Sequence, residues 1–188
     1  MALESNLTDE QLVVAVREVD KEMYGELIRR YSSKIGHYLR KFIRDNDALD
    51  DVLQDVFIKA YRNLYDFNPN RKFSPWLYRI AHNEALNSLK KYKKEKLSLD
   101  ETEWEIADEK INLKDSVDTK FLKEDIERGL GRLKDKYQEV LILYFFEQKT
   151  YDEISEIMRI PRNTVGVLLM RAKELLKQFL KEERYVTK

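Results

Sequence analysis

Apolar side chains recur at helical spacing along most of the chain, and the places where the spacing fails mark its segments. Thr8-Asp9-Glu10-Gln11 has the Ser/Thr-x-x-Glu/Gln form of a capping box, which predicts the start of a first helix. A second helix is predicted from Tyr24, Leu27, Ile28, Tyr31, Ile35, Tyr38, Leu39 and Phe42, and it breaks over residues 44–47. Leu49, Val52, Leu53, Val56, Phe57, Ala60, Tyr61 and Leu64 form a cleaner stripe and predict a third. Residues 66–72, with Asn68-Pro69-Asn70, read as a loop. Ser74-Pro75 then reads as an N-cap with proline at the first helical position, opening a fourth helix that runs through residues 90–96.

Periodicity lapses over residues 97–119, where Trp104 and Ile106 are too isolated to build a core, so this stretch reads as a linker. Beyond it, Leu130, Leu133, Tyr137, Val140, Leu141, Tyr144 and Phe145 predict one amphipathic helix. Two more follow, at about residues 151–158 and 162–180, separated by Arg159-Ile160-Pro161. The expected fold is therefore all-α. It comprises a helical domain at 8–96, an acidic linker at 97–119 and a second helical domain at 120–182 that holds a helix-turn-helix.

Composition agrees with this picture and narrows the function. Only 5 Gly and 3 Pro among 188 residues suit a helical chain, and a 43% hydrophobic fraction is enough for real cores. No run approaches the roughly 20 apolar residues of a membrane span, and residues 1–9 lack the basic-then-apolar pattern of a signal peptide. Neither membrane insertion nor export is expected, and the absence of Cys fits a reducing cytoplasm.

The net charge of zero conceals a strong segregation. Residues 71–96 hold eight basic side chains against two acids, whereas residues 97–119 hold eight acids against two bases. A local basic field is what a phosphate backbone experiences, whatever the charge of the whole chain. On the fourth helix, at 100° per residue, Arg79, Asn83, Asn87, Lys90 and Lys94 share one narrow sector. Leu77, Tyr78, Ala81, Ala85, Leu89 and Tyr92 lie opposite. A row of amides and cations suits a sugar-phosphate strand and base edges. Phe73 and Trp76, next to Arg71 and Lys72, offer aromatic faces among cations, which is the arrangement on which unpaired bases stack. Taken one by one, the rings read as ordinary core and the lysines as a solvated face; taken together with the charge segregation, they read as a surface for a single strand or melted duplex.

The third helix presents Asp51, Gln54, Asp55 and Ile58 opposite its buried stripe. Acids in the first turn complement the helix dipole, but Asp55 and an outward Ile58 have no such explanation. The group looks like a docking patch for another protein. In the C-terminal hairpin, Val165, Leu169, Ala172, Leu176 and Phe179 are expected inside. Asn163, Gly166, Val167, Met170, Lys173, Glu174 and Lys177 are expected outside, where cations meet phosphate and Asn163 reaches a base edge. A hairpin that merely packs is the competing reading.

An enzyme is not expected. A nuclease or recombinase would use the acids between Asp45 and Asp55 to hold magnesium, but helix starts account for several of them. His37 and His82 have no metal-ligand spacing to each other, and no Gly-rich phosphate loop or nucleophile motif occurs. No metal or cofactor is expected.

The run Asp50-Asp51-Val52-Leu53-Gln54-Asp55-Val56-Phe57-Ile58-Lys59-Ala60-Tyr61, followed by Phe73-Ser74-Pro75-Trp76-Leu77-Tyr78-Arg79-Ile80-Ala81-His82-Asn83, resembles region 2 of the extracytoplasmic-function (ECF) sigma factors. Leu133-Lys134-Asp135-Lys136-Tyr137-Gln138-Glu139-Val140-Leu141, Tyr151-Asp152-Glu153-Ile154 and Ile160-Pro161-Arg162-Asn163-Thr164-Val165 resemble sigma region 4. The resemblance implies that Asp51, Gln54, Asp55 and Ile58 dock on the beta-prime coiled coil of RNA polymerase core. It implies that the loop with Asn68, Asn70, Arg71, Lys72 and Phe73, together with Trp76, Arg79, Asn83, Asn87, Lys90 and Lys91, recognises and melts the −10 element, with a flipped base near the loop. Arg162, Asn163, Thr164, Gly166, Val167, Met170, Arg171 and Lys173 would meet the −35 element, and the same domain the beta flap. The linker would thread near the polymerase cleft, and an anti-sigma factor is an expected partner. The rival to a sigma factor is a helix-turn-helix regulator that binds promoter DNA without polymerase.

Two positions depart from the family pattern. Asn87 stands where the family usually has Asp, so −10 preference is expected to differ. Gly166-Val167-Leu168 replaces Lys-Ser-Arg, removing two cations and adding a glycine that costs about 1 kcal/mol of helix propensity. Restoring Lys at Gly166 and Arg at Leu168 is therefore expected to tighten binding to a −35 duplex.

Overall fold

The capping box at Thr8 and Gln11 does start α1, Asp9–Glu18, with both reciprocal hydrogen bonds in place. A computed structural model of the protein describes residues 7–43, 45–96 and 129–186, and side chains within 92–96 and 182–186 are not described. The expected linker at 97–119 and the start of the second domain at 120–128 lie outside the described residues, as do the side chains of Tyr92 and Lys94. The chain divides into two compact helical units, the first mainly within residues 1–99 and the second mainly within 100–188.

In the first unit a 3₁₀ turn capped by Asp20 leads into α2, Tyr24–Arg40. Asp45 caps α3, Asn46–Arg62, by accepting the Ala48 N–H at 2.8 Å. Asp47 is therefore the second residue inside the helix, in its first turn. A second 3₁₀ turn, Leu64–Asp66, and a short loop lead to α4, Phe73–Lys96. That helix begins at Phe73 rather than after Ser74, so Pro75 falls in the first turn, where no intrahelical N–H is required. The predicted stripes converge, with Leu12, Leu27, Ile35, Leu39, Leu49, Val56, Ala60, Leu77 and Ala81 all fully buried. Ile28 and Tyr61 are exceptions and remain exposed.

Polar atoms inside this core are paired at specific points. The Tyr24 hydroxyl donates to the Phe57 carbonyl at 2.7 Å, joining α2 to α3. The Tyr38 hydroxyl lies 3.1 Å from His82 Nδ1, joining α2 to α4. Burial pushes the His82 pKa down to about 4, so the ring is neutral. A base whose folded pKa is depressed contributes stability that is complete above its unfolded value and lost as pH falls through the folded one. The loss is expected between about pH 6.5 and 4 and to total about 3 kcal/mol. Urea unfolding across that range, with His82→Gln beside the wild type, checks this; equal pH slopes would refute it.

The second unit departs from the single predicted helix. After Gly129 and Leu130 the chain turns, and α5 spans only Asp135–Leu141. It then widens into one π-helical turn, Ile142–Phe146, in which the Glu147 N–H reaches the Ile142 carbonyl at 3.0 Å. The wider turn rotates the following side chains out of the 3.6-residue register. Ile142 and Leu143 continue the buried run that begins at Gln138, while Phe145, expected inside, is 53% exposed. Gly129 lies so close to the last helix of the chain that an added Cβ would meet Leu176 at 2.7 Å.

A second capping box, Thr150 with Glu153, opens α6, Tyr151–Met158. Arg159 ends it in the left-handed conformation at φ 54°, and the Ser155 hydroxyl ties down the turn by donating to the Ile160 carbonyl at 2.6 Å. Then α7 runs over Arg162–Val186. Val165, Leu169 and Ala172 are buried as expected, and Ile154 is buried too, whereas Leu176 and Phe179 are half-buried. Leu168, counted in the sequence as a missing surface cation, is a core residue at 8% exposure. Burial, aided by the neighbouring Asp135 carboxylate, also pushes the Glu139 carboxyl up to about 7.

Candidate nucleic-acid interface

The outer face of α4 is built as its 3.6-residue period demands. Asn83, Asn87, Lys90 and Lys91 are exposed, while Arg79 is half-buried and engaged by neighbouring groups. The loop in front of the helix adds Asn68, Asn70, Arg71 and Lys72, all exposed. That loop is locally folded: the Asn68 side-chain oxygen accepts the Asn70 N–H at 3.0 Å, and the Asn68 carbonyl accepts the Arg71 N–H at 2.9 Å. Cations and amides therefore line both the loop and the outer face of the helix.

Phe73 and Trp76 do not belong to that surface. They are 1% and 7% exposed and pack with Phe67 and Tyr31, ring centroids 5.3 to 5.6 Å apart. The expectation that these rings offer free faces to bases is corrected: aromatic burial is worth more as the floor beneath the loop than as exposed platform.

Two residues of α1 that the sequence did not single out act on the same loop. Arg17 Nη2 donates to the Leu64 carbonyl and, at 2.6 Å, to the Phe67 carbonyl. Glu10 accepts the Phe73 N–H at 2.8 Å, at the start of α4. These bonds span 47, 50 and 63 residues, so no local pattern announces them.

On α3, Asp51, Gln54 and Asp55 are exposed in a row with Ile58, which is 46% exposed. Exposed Tyr65 lies beyond the helix end. The Lys59 ammonium, on the flank toward α4, bonds Glu84 at 2.5 Å.

In the second unit, α7 exposes Arg162, Asn163, Val167, Met170, Arg171 and Lys173, and Thr164 is half-buried. Gly166 is turned partly toward α6, where an added Cβ would touch the Tyr151 ring at 3.6 Å, an ordinary contact. Arg162 pairs with Asp152 at 3.0 Å and lies over the Tyr151 ring, 5.8 Å from its centroid. Lys173 sits over Tyr144 and Phe145 at 5.4 and 5.1 Å. The outer face is thus as apolar as it is basic.

Among the described residues no cluster of three His, Cys, Asp or Glu side chains is arranged to hold a metal, and no helix is long and apolar enough to cross a membrane.

Comparison with known proteins accounts for this pairing of domains. The Sigma-70 region 2 profile matches residues 27–95, and the Sigma-70 region 4 profile matches residues 123–176. The chain is 31% identical over 176 residues to the ECF RNA polymerase sigma factor SigW of Bacillus subtilis, covering 89% of this chain and 94% of that protein. It is 32% identical over 178 residues to the ECF RNA polymerase sigma-E factor of Haemophilus influenzae, covering 90% and 94%. Among solved structures, CnrH in complex with the cytosolic domain of CnrY shares the fold at a TM-score of 0.69 and 21% identity, covering 93% of this chain and 97% of that one. The sigma factor RpoE in complex with the anti-sigma factor NepR, from Bartonella quintana, gives 0.69 at 20% identity, covering 84% and 96%. A helix-turn-helix regulator acting without polymerase accounts for only the second of the two matched regions. With both regions matched in order and the relatives aligned over nearly their whole length, the chain belongs to the ECF sigma factors of RNA polymerase.

Proposed function

We propose that this sigma factor divides promoter opening between the surfaces described. The α3 face with Asp51, Gln54, Asp55 and Ile58 docks on the beta-prime coiled coil of core polymerase. The loop residues Asn68, Asn70, Arg71 and Lys72, with Arg79, Asn83, Asn87, Lys90 and Lys91 of α4, hold the melted −10 strand. Phe73 and Trp76 support the loop from below. The observation that carries this reading is the set of exposed amides and cations on the loop and along the outer face of α4. Amides and cations bond phosphate and base edges without requiring a groove, which suits a separated strand.

Arg162, Asn163, Thr164, Val167, Met170, Arg171 and Lys173 meet the −35 duplex, and the same domain meets the beta flap. Val167 and Met170 bring apolar contacts that fit thymine methyls. Catalysis is left to polymerase, and the protein works in the cytoplasm. An anti-sigma partner is proposed by analogy with the sigma–anti-sigma complexes that share the fold. Core polymerase reconstituted with the protein and a promoter library tests the whole reading: selective initiation on a subset of promoters is expected, and failure to bind core overturns it.

The burial of Leu168 changes the expected effect of restoring family cations on α7. Gly166→Lys is expected to strengthen −35 duplex binding about three- to tenfold with a steeper salt dependence, since one phosphate contact is added and the Cβ fits beside Tyr151. Leu168→Arg places a cation in the core and is expected to cost about 3 kcal/mol of stability instead. Duplex titrations at two salt concentrations and thermal melts separate the two effects.

A further inference from the structure

We infer that Glu10 and Arg17 of α1 are positioning residues that clamp the two ends of the α3–α4 loop and so set how it reads the −10 strand, an inference that rests on the proposed role of that loop. The two side chains are seven residues apart, two helical turns, so they leave α1 on one face about 10 Å apart. At the loop's entry the Arg17 guanidinium gathers the carbonyls of Leu64 and Phe67, which the 3₁₀ turn turns toward it. Tyr65 closes over this grip: its ring lies 5.9 Å from the guanidinium carbon and its hydroxyl donates to the Arg17 carbonyl at 3.3 Å. At the exit, the Glu10 carboxylate accepts the first N–H of α4, where the helix dipole favours an anion.

The clamp has a visible cost. Arg17 Nε is buried without a hydrogen-bond partner, a situation that cores of this size rarely keep. The side chain is thus oriented for its two carbonyls rather than for its own full satisfaction. Helix α1 is itself held from behind. Asp9 accepts the Tyr31 hydroxyl at 2.5 Å and Arg30 at 2.8 Å, and Arg30 is also bonded to Glu26 at 2.8 Å. A path of hydrogen bonds therefore leads from α2 through α1 to both ends of the loop. Between those ends stand Asn68, Asn70, Arg71 and Lys72, whose placement follows from the clamped ends. A loop ordered in advance gives up less freedom when a strand binds, and its side chains can discriminate one base from another.

The test is made in holoenzyme reconstituted with core polymerase. The probe is a short single-stranded DNA pool, enriched by the wild-type holoenzyme from randomised strands, together with single-base variants of its consensus. Arg17→Met, which keeps the side chain's bulk and loses its donors, is expected to weaken probe binding about tenfold and to flatten the preference at the loop-read base. Core binding is expected to stay within about twofold, because the α3 face is untouched. Glu10→Ala is expected to act in the same direction, and Glu10→Gln to restore wild-type reading, since the amide oxygen accepts the same N–H. If Arg17→Met fails to fold, the two Glu10 variants decide the matter alone. Full base preference in Arg17→Met or Glu10→Ala with normal core binding overturns the clamp, as does loss of core and strand binding in step. A wild-type holoenzyme with no preference among strands overturns the proposed role of the loop, and the inference with it.

Discussion

Asp55→Arg is expected to lower affinity for core polymerase about a hundredfold while leaving the fold intact. Asp55 stands exposed at the middle of the proposed docking face, with Asp51 one turn before it and Ile58 one turn after. An electrostatic interface loses twice on charge reversal, first the attraction and then the new repulsion, which together reach several kcal/mol when the contact is partly desolvated. Surface substitutions of this kind usually change folding stability by less than about 0.5 kcal/mol, so a melt should move little. Ile58→Ala should weaken binding less, about tenfold, because it removes one half-exposed aliphatic side chain from the patch. Titration of labelled protein with core measures both. An Asp55→Arg protein that binds core normally would remove α3 from the interface.

Asn83→Ala combined with Lys90→Ala is expected to produce the opposite separation. Core binding should persist while formation of the open promoter complex falls about a hundredfold. Both side chains are exposed on one stripe of α4 and neither supports the core, which is made by Leu77, Tyr78, Ala81, Ala85 and Leu89 on the other side. One good base-edge contact is worth about 1–3 kcal/mol, and a cation against phosphate adds a salt-dependent share. Permanganate reactivity of unpaired thymines reports strand separation directly. Unchanged reactivity at saturating double mutant would rule out this face as the −10 reader. Asn87→Asp, which restores the family's usual residue, should change which base is preferred rather than whether the strand opens.

These predictions use parts of the molecule that were legible to different degrees. The outer faces of α3 and α4 follow from helical period alone, because residues three and four apart must share a side of the helix whatever packs behind it. The capping box at Thr8 was legible for the same reason, since its two hydrogen bonds close within three residues. The resemblance of both blocks to sigma regions likewise came from contiguous runs. Period could not distinguish Phe73 and Trp76 as floor from Phe73 and Trp76 as platform, because either role places aromatic rings among cations near a helix start. The neighbours Phe67 and Tyr31 decide it, and Tyr31 comes from another helix.

The C-terminal unit shows where local rules fail. A constant 3.6-residue period puts Phe145 inside, and a single widened turn at Ile142–Phe146 moves it out. Leu168 likewise lies just off the ideal stripe yet is covered by the fold. By itself the sequence determined the helices, their polar faces, the two-domain order and the segregation of charge, all properties of residues close together along the chain. Only the tertiary structure decided which aromatic rings are floor, where the helical register slips, and that Glu10 and Arg17 hold the loop. Those outcomes depend on atoms brought together from distant positions, where a hydrogen bond or a buried ring leaves no periodic trace.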